Sequence, residues 1–179
     1  MNVSTCMNYF KGKSRILFFL AFIANVALTL LSLAMLPAKV ACHFGINGVA
    51  DGWMDNYVNC IIMTGLLIFM FCVFYFLPRL IFLFPPGMVN LPNKEYWLRP
   101  GMKTLTIKKI QSFMCGFGVA LFLLLFTAGL LTLQANLSKP VKLNIYVFYA
   151  ALSIFSVYLA GWTIMLFRAF RIPRDEQHQ

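Results

Sequence analysis

The chain has 179 residues, of which 61% are hydrophobic and 11% charged, with 15 Lys+Arg against 5 Asp+Glu and a mean hydropathy of +0.79. Soluble proteins carry about 25% charged residues, and a soluble domain of this size would have no interior for so much apolar material. Composition therefore excludes a soluble enzyme, a disordered chain and a disulfide-stapled secreted module, and leaves an all-α polytopic membrane protein in a lipid bilayer.

A helix of about 20 apolar residues crosses the hydrocarbon core, because in lipid every backbone N–H and C=O must be satisfied within the segment. Four runs meet this length, giving a single membrane domain over 1–179. The first, 16–36, is closed by Pro37 and follows Lys11, Lys13 and Arg15. Its apolar core exceeds the roughly 7–15 residues of a signal-peptide core and no A-x-A site follows, so a retained helix is expected. Lys39-Val40-Ala41-Cys42 resembles a lipoprotein cleavage box, but a lysine stands where an aliphatic residue belongs.

The loop 37–56 leads to the second run, 57–84, in which Pro78 is expected to kink or end the helix and Arg79 to reach the headgroups. A polar loop, 85–109, precedes the third run, 110–133. Thr106 is a candidate helix cap there, with Lys108-Lys109 at the boundary. The fourth run, 145–170, is followed by a tail, 171–179.

Orientation follows from the cations. With the N-terminus inside, the cytoplasmic segments hold Lys11, Lys13, Arg15, Arg79, Lys94, Arg99, Lys103, Lys108, Lys109, Arg168, Arg171 and Arg174, against Lys39, Lys139 and Lys142 outside. This bias predicts cytoplasmic N- and C-termini. It also accounts for the basic excess without nucleic acid, since the cations sit in short segments between apolar blocks. Asn136-Leu137-Ser138 is a glycosylation sequon on the outer side. The five cysteines are scattered without a CxxC, and Cys60, Cys72 and Cys115 read as small packing residues.

No Asp, Glu, His, Lys or Arg lies in the middle of a span, which argues against a proton-coupled transporter. Neutral polar residues recur at helical spacing: Asn25, Thr29 and Ser32 in the first span, and Ser153 and Ser156, with Ala150 and Ala160, in the fourth. Cys115, Gly116, Gly118 and Ala120 form a further small-residue group in the third. Two readings stand: close helix–helix packing, or a polar pocket or substrate path.

The loop 37–56 contains a short extended stretch, then Asn47-Gly48, a tight-turn signal, and Asp51-Gly52, read as a second turn. Phe44 and Trp53 suit a membrane–water boundary, and a small hairpin-like cap over the outer mouth of the bundle is expected. His43, Asp51 and Asp55, with Cys42, are the clustered candidates for metal ligation or acid–base work. No spacing among them matches a strong motif, and a hydrogen bond from His43 across the turn to Asp51 or to backbone is the reading preferred over either. No cofactor is expected.

Leu36-Pro37, His43-Phe44, Asn47-Gly48 and Asp51-Gly52-Trp53 together resemble the SdpI-type bacterial membrane family and its relatives with a domain of unknown function, DUF1648. In that family a first membrane helix ending in Leu-Pro is followed by a His–aromatic pair, a Gly turn and an Asp-Gly-aromatic step. Cys42 stands where the family often has Pro, and Asn56 where it often has Lys. The resemblance implies a membrane domain and, for the SdpI type, protection from a secreted peptide toxin. The resulting expectation is a non-catalytic membrane protein that senses or shields against an extracellular peptide or envelope agent. An accessory subunit of a larger membrane complex is the alternative, and a metal-dependent enzyme or transporter using His43, Asp51 and Asp55 a second one.

In the loop 85–109, Tyr96-Trp97 between Lys94 and Arg99 suits a segment lying on the inner leaflet. Docking of a cytoplasmic partner on Tyr96, Trp97 and Arg99 is the functional alternative.

Overall fold

The computed structural model describes residues 3–173, with side chains from Ser14 onward. Of the calls made from sequence, those resting on the side chains of Cys6, Lys11 and Lys13, on Arg174 and on the rest of the tail lie outside the described residues. The chain forms α1 (Val3–Met35), a two-stranded hairpin of β1 (Lys39–Phe44) and β2 (Ala50–Asp55), then α2 (Asn56–Leu80). The short α3 (Lys94–Trp97) leads to α4 (Lys103–Leu137) and α5 (Ile145–Ala169). Four of these helices are long and apolar enough to cross a membrane, so the protein is an integral membrane protein of the all-α polytopic class.

Two boundaries differ from the sequence reading. Pro78 does not end α2; the helix runs on to Leu80 and passes into a 3-10 turn, Ile81–Leu83. Proline lacks the N–H that would bond the Phe74 carbonyl, a single lost bond, and only two residues of helix follow it. α4 starts seven residues before the expected 110, and Thr106 is not its cap. Thr106 is buried inside the helix and its hydroxyl donates to the Trp97 carbonyl at 2.7 Å. α4 has 35 residues, about 52 Å at 1.5 Å per residue, well beyond a hydrocarbon core of about 30 Å. Its first turns therefore project past the lipid, where Lys103, Lys108 and Lys109 can be solvated.

The core lies between α1, α2 and α4. Phe18, Leu67, Phe74, Cys115 and Phe122 form its buried centre. Phe18 is fully buried and seats against Gly118, where even a Cβ would come within 2.4 Å of the ring. It stacks on Phe71 at 5.3 Å and packs tilted on Phe122 at the same separation. Asn25 crosses from α1 to α4, its amide nitrogen donating to the Phe122 carbonyl at 2.8 Å. Lipid tails are as apolar as these side chains, so close packing and interhelical hydrogen bonds, rather than expulsion from water, hold the three helices together.

α5 is attached differently. It packs on α4 and none of its residues is buried. Tyr158 and Trp162 donate to the carbonyls of Gly116 and Phe113 on α4, at 3.0 and 3.1 Å. Just beyond its last turn, the Phe170 carbonyl accepts from Asn93 Nδ2 and Trp97 Nε1, both at 2.8 Å, and the Ala169 carbonyl accepts from Lys109 Nζ. The Lys109 ammonium also lies over the Trp97 ring, 4.0 Å from its centroid. Donors and a cation at a helix C-terminus satisfy orphan carbonyls and complement the helix dipole.

The hydrogen bonds that tie the hairpin to the α4–α5 loop put these at one end of the bundle; α3 and the end of α5 form the other. Among the described residues the hairpin end holds Lys39, Lys139 and Lys142. The opposite end holds Arg15, Arg79, Lys94, Arg99, Lys103, Lys108, Lys109, Arg168 and Arg171.

Phe18→Ala is expected to lower unfolding stability in lipid or detergent by about 2–3 kcal/mol. That is below the roughly 3–5 kcal/mol typical in water, because the transfer term largely falls away in lipid. Ile154→Ala, on the exposed face of α5, is expected to change it by less than about 0.5 kcal/mol. Equilibrium unfolding by denaturing detergent measures both.

Candidate functional site

The hairpin is pinned to the helices at three places. At its base, Asn56 Nδ2 donates to the carbonyls of Leu33 and Leu36 at 3.1 Å each, closing the end of α1. In its middle, Asn136 of α4 forms a two-way pair with Ala41. The Ala41 N–H donates to Oδ1 at 2.7 Å and Nδ2 donates to the Ala41 carbonyl at 3.0 Å. At its tip, the Leu143 N–H donates to the Gly48 carbonyl at 2.8 Å, and Val49 bridges Lys142. Val40 and Ala41 are consequently buried. The sequon asparagine is thus a structural residue, its carboxamide engaged with β1.

Asn47-Gly48 makes the expected turn. Gly48 has a φ of 78°, and a Cβ there would come 2.4 Å from the Leu143 carbonyl oxygen, so both the turn and the tip contact require glycine. Asp51-Gly52 is not a turn; it belongs to β2. Pairing runs Lys39↔Asp55, Ala41↔Trp53, His43↔Gly52 and Phe44↔Ala50. Cys42 and Asp51 are therefore the extra residues of two irregular steps, and such bulges re-aim side chains. Here they bring His43 Nδ1 and Asp51 Oδ1 to 2.5 Å. Gly52 lies opposite His43, and a Cβ there would stand 2.8 Å from the His43 Cβ.

The His43–Asp51 pair is exposed, with side chains 72% and 52% accessible, so water screens it and its contribution is small, about 0–1 kcal/mol. Asp55 does not join it: its partner in the ladder is Lys39, at the other end of the hairpin. Cys42 turns under the hairpin instead. Among the described residues no group of three or more His, Cys, Asp or Glu side chains is placed to hold a metal ion, and the proposed His43, Asp51 and Asp55 set is not assembled. Trp53, 54% exposed, stands on the outer surface of the cap, while Phe44 is half-buried. Pro37 lies between α1 and β1.

Beneath the hairpin, between α1, α2 and α4, is a cavity of about 230 Å³. Asn25, Thr29 and Ser32 line one side of it, Asn59 and Met63 another, with Cys42 above and Thr132 on α4. The polar stripe on the first span therefore does both things its spacing allowed. Asn25 bonds across to α4, and its face also borders a pocket. The hydroxyls of Thr29 and Ser32 donate to carbonyls four residues back in α1.

The other two groups lie elsewhere. Ser153 and Ser156 are exposed on α5, and the Ser156 hydroxyl donates back to the Leu152 carbonyl. Tyr96 and Trp97 are not on a leaflet surface. They are 9% and 3% exposed and form a cluster with Ile110 and Phe170. The apolar rings are worth more against the end of α5 than against headgroups, and the Trp97 N–H finds a carbonyl there. Arg99 remains exposed and lies over the Tyr96 ring at 4.2 Å. Asn56, Asn59, Asn93 and Asn136 escaped the sequence reading as site residues. For Asn56, Asn59 and Asn136 the one legible signal was asparagine next to, or inside, an apolar run; Asn93, in the polar loop, carried none.

A family model described as Domain of unknown function (DUF1648) matches residues 20–68, just over a quarter of the chain. That segment covers most of the membrane part of α1, the hairpin and the first half of α2. It holds ten of the fifteen residues lining the cavity. No curated protein and no solved structure matches the chain.

Asn136→Ala removes both bonds to Ala41 and leaves two backbone groups at the buried strand unpaired, at a cost of about 1–3 kcal/mol. Hydrogen exchange at the Ala41 amide is expected to accelerate by one to two orders of magnitude, with amides in the middle of α1 unchanged.

Proposed function

We propose that the protein is a non-catalytic protein of a bacterial inner membrane, SdpI-like in character, that senses or protects against an extracellular peptide or envelope agent. Both termini face the cytoplasm and the hairpin faces out. The observation that carries this reading is the coincidence of the DUF1648 match with the latched hairpin and the cavity below it. The matched segment runs from α1 through the hairpin into the first half of α2, so it takes in the cap and most of the cavity wall. Orientation rests on the cations, nine at the end opposite the hairpin against three beside it among the described residues.

In this reading the cap presents Trp53, His43 and Asp51 to the outside. Trp53 offers an apolar surface at the boundary, and the exposed His43–Asp51 pair bridges the two strands beside it. The α3 segment, clamped to the end of α5, links the helices on the inner side.

One observation favours a second reading, an accessory subunit of a larger membrane complex. α5 buries none of its residues, and its exposed Ser153 and Ser156 would admit a close helix from another chain. Purification in mild detergent separates the two: co-purifying subunits support the second reading and a lone monomer opposes it.

For the leading reading, expression in a strain sensitive to a membrane-active peptide is expected to raise tolerance at least severalfold. His43→Ala and Asp51→Ala are expected to reduce that gain at equal protein level. Unchanged sensitivity to every peptide tested, with both variants indistinguishable from the parent, would sink it. Reporter fusions at the two termini should both report the cytoplasm.

A further inference from the structure

We infer that the cavity beneath the hairpin is a binding site for an uncharged amphiphile that enters from the lipid: an apolar chain or ring carrying a hydroxyl or amide. The inference goes beyond the protective function proposed above and does not depend on it.

Four observations point to this ligand class. First, none of the fifteen lining residues is Asp, Glu, Lys, Arg or His, so the site offers nothing to offset the desolvation of a charge.

Second, two carboxamides at the cavity have hydrogen-bonding capacity left over. Asn25 is 5% exposed, and its amide nitrogen donates to two carbonyls, those of Ala21 and Phe122, at 2.8 Å each. That arrangement leaves Oδ1 without a donor. Asn59, half-buried, has no hydrogen-bond partner among the described residues. A polar atom without a partner in an apolar medium is costly, and a hydroxyl or amide, which both donates and accepts, relieves it.

Third, the volume, about 230 Å³, exceeds the roughly 150 Å³ of an engineered apolar cavity that takes up benzene. The site therefore has room for more than an isolated water. It is also elongated, since it runs from Asn25 on α1 to Leu36 just past the end of that helix, eleven residues on and about 16 Å along the axis.

Fourth, the mouth faces lipid. Met63 and Leu66 line the cavity yet are 40% and 38% exposed, and both lie within the membrane-spanning part of α2. The hairpin closes the site from above through Cys42, so a ligand reaches it sideways out of the bilayer. That route selects molecules already dissolved in the membrane.

The test is photolabelling of the full-length protein in phosphatidylcholine vesicles with three probes of equal chain length: a diazirine-bearing dodecanol, the matching alkane and the matching alkyl sulfonate. The dodecanol probe is expected to label the cavity segments, residues 25–36, 59–67 and 125–133, in preference to exposed α5, and unlabelled dodecanol is expected to compete. The sulfonate should not enter. Asn59→Leu is expected to cut cavity labelling about three- to tenfold, the effect of removing one hydrogen bond. Ala128→Phe, which fills the site, should nearly abolish it. Labelling of α5 by the alkane should be the same in every variant, which reports on intact insertion. If Asn59→Leu does not fold, Thr132→Val and Ala128→Phe carry the comparison. Equal labelling of cavity and α5 by the dodecanol probe, or cavity labelling that is indifferent to these substitutions in folded protein, would overturn the inference.

Discussion

In a bilayer no water is at hand to take up a backbone hydrogen bond that a helix end or a strand leaves open, and this constraint organises the whole molecule. At several places where the regular ladder stops, a side-chain amide, an indole or an ammonium group takes over. Asn56 answers the carbonyls at the end of α1, and Asn136 answers both sides of Ala41 in the hairpin. Asn93, Trp97 and Lys109 answer the end of α5. Asn25 makes the corresponding bond between α1 and α4 at mid-membrane. These polar contacts are few, but each one fixes the position of an element that apolar packing alone would let slide.

The same logic separates the two ends of the bundle. At the hairpin end the side chains that fasten the cap to the helices, Asn56 and Asn136, are neutral amides. At the opposite end the polar groups are mostly cations, and the long α4 carries several of them beyond the lipid. The three-helix core of α1, α2 and α4 joins the ends, with Phe18 and Phe122 at its centre. α5 stands outside that core, held by hydrogen bonds to α4 and by the clamp at its last turn. It is the element most open to lipid or to another chain.

Much of this architecture could be read from the residues. Four apolar runs marked four spans because length and hydropathy respond to the bilayer directly. Asn47-Gly48 marked the hairpin turn because few other dipeptides adopt that backbone. His43 and Asp51 were legible as a pair, although the bulges that bring them together were not: a single extra residue in each strand leaves no mark in composition. Asp51-Gly52 read as a turn for the same reason, since local chemistry favours one and only the ladder with β1 overrides it. Tyr96 and Trp97 looked like surface residues because aromatics beside lysine and arginine often sit in headgroups; their burial depends on the end of α5, more than 70 residues away. The same distance hid the role of Asn136, 95 residues from its partner in β1. Long-range partners, not local preferences, decided the residues that were misjudged.

The central claim is that the hairpin is a rigid cap, fixed to the helices rather than hinged above them. The pulsed electron–electron distance between spin labels at Ile46 and Tyr146, exposed by 89% and 83% on the hairpin and at the start of α5, tests it most directly in lipid nanodiscs. Three-point attachment predicts one narrow distance distribution, unchanged between nanodiscs and detergent. A broad or multi-peaked distribution would mean that the cap swings free of the bundle, and the cavity it roofs would then not exist as described.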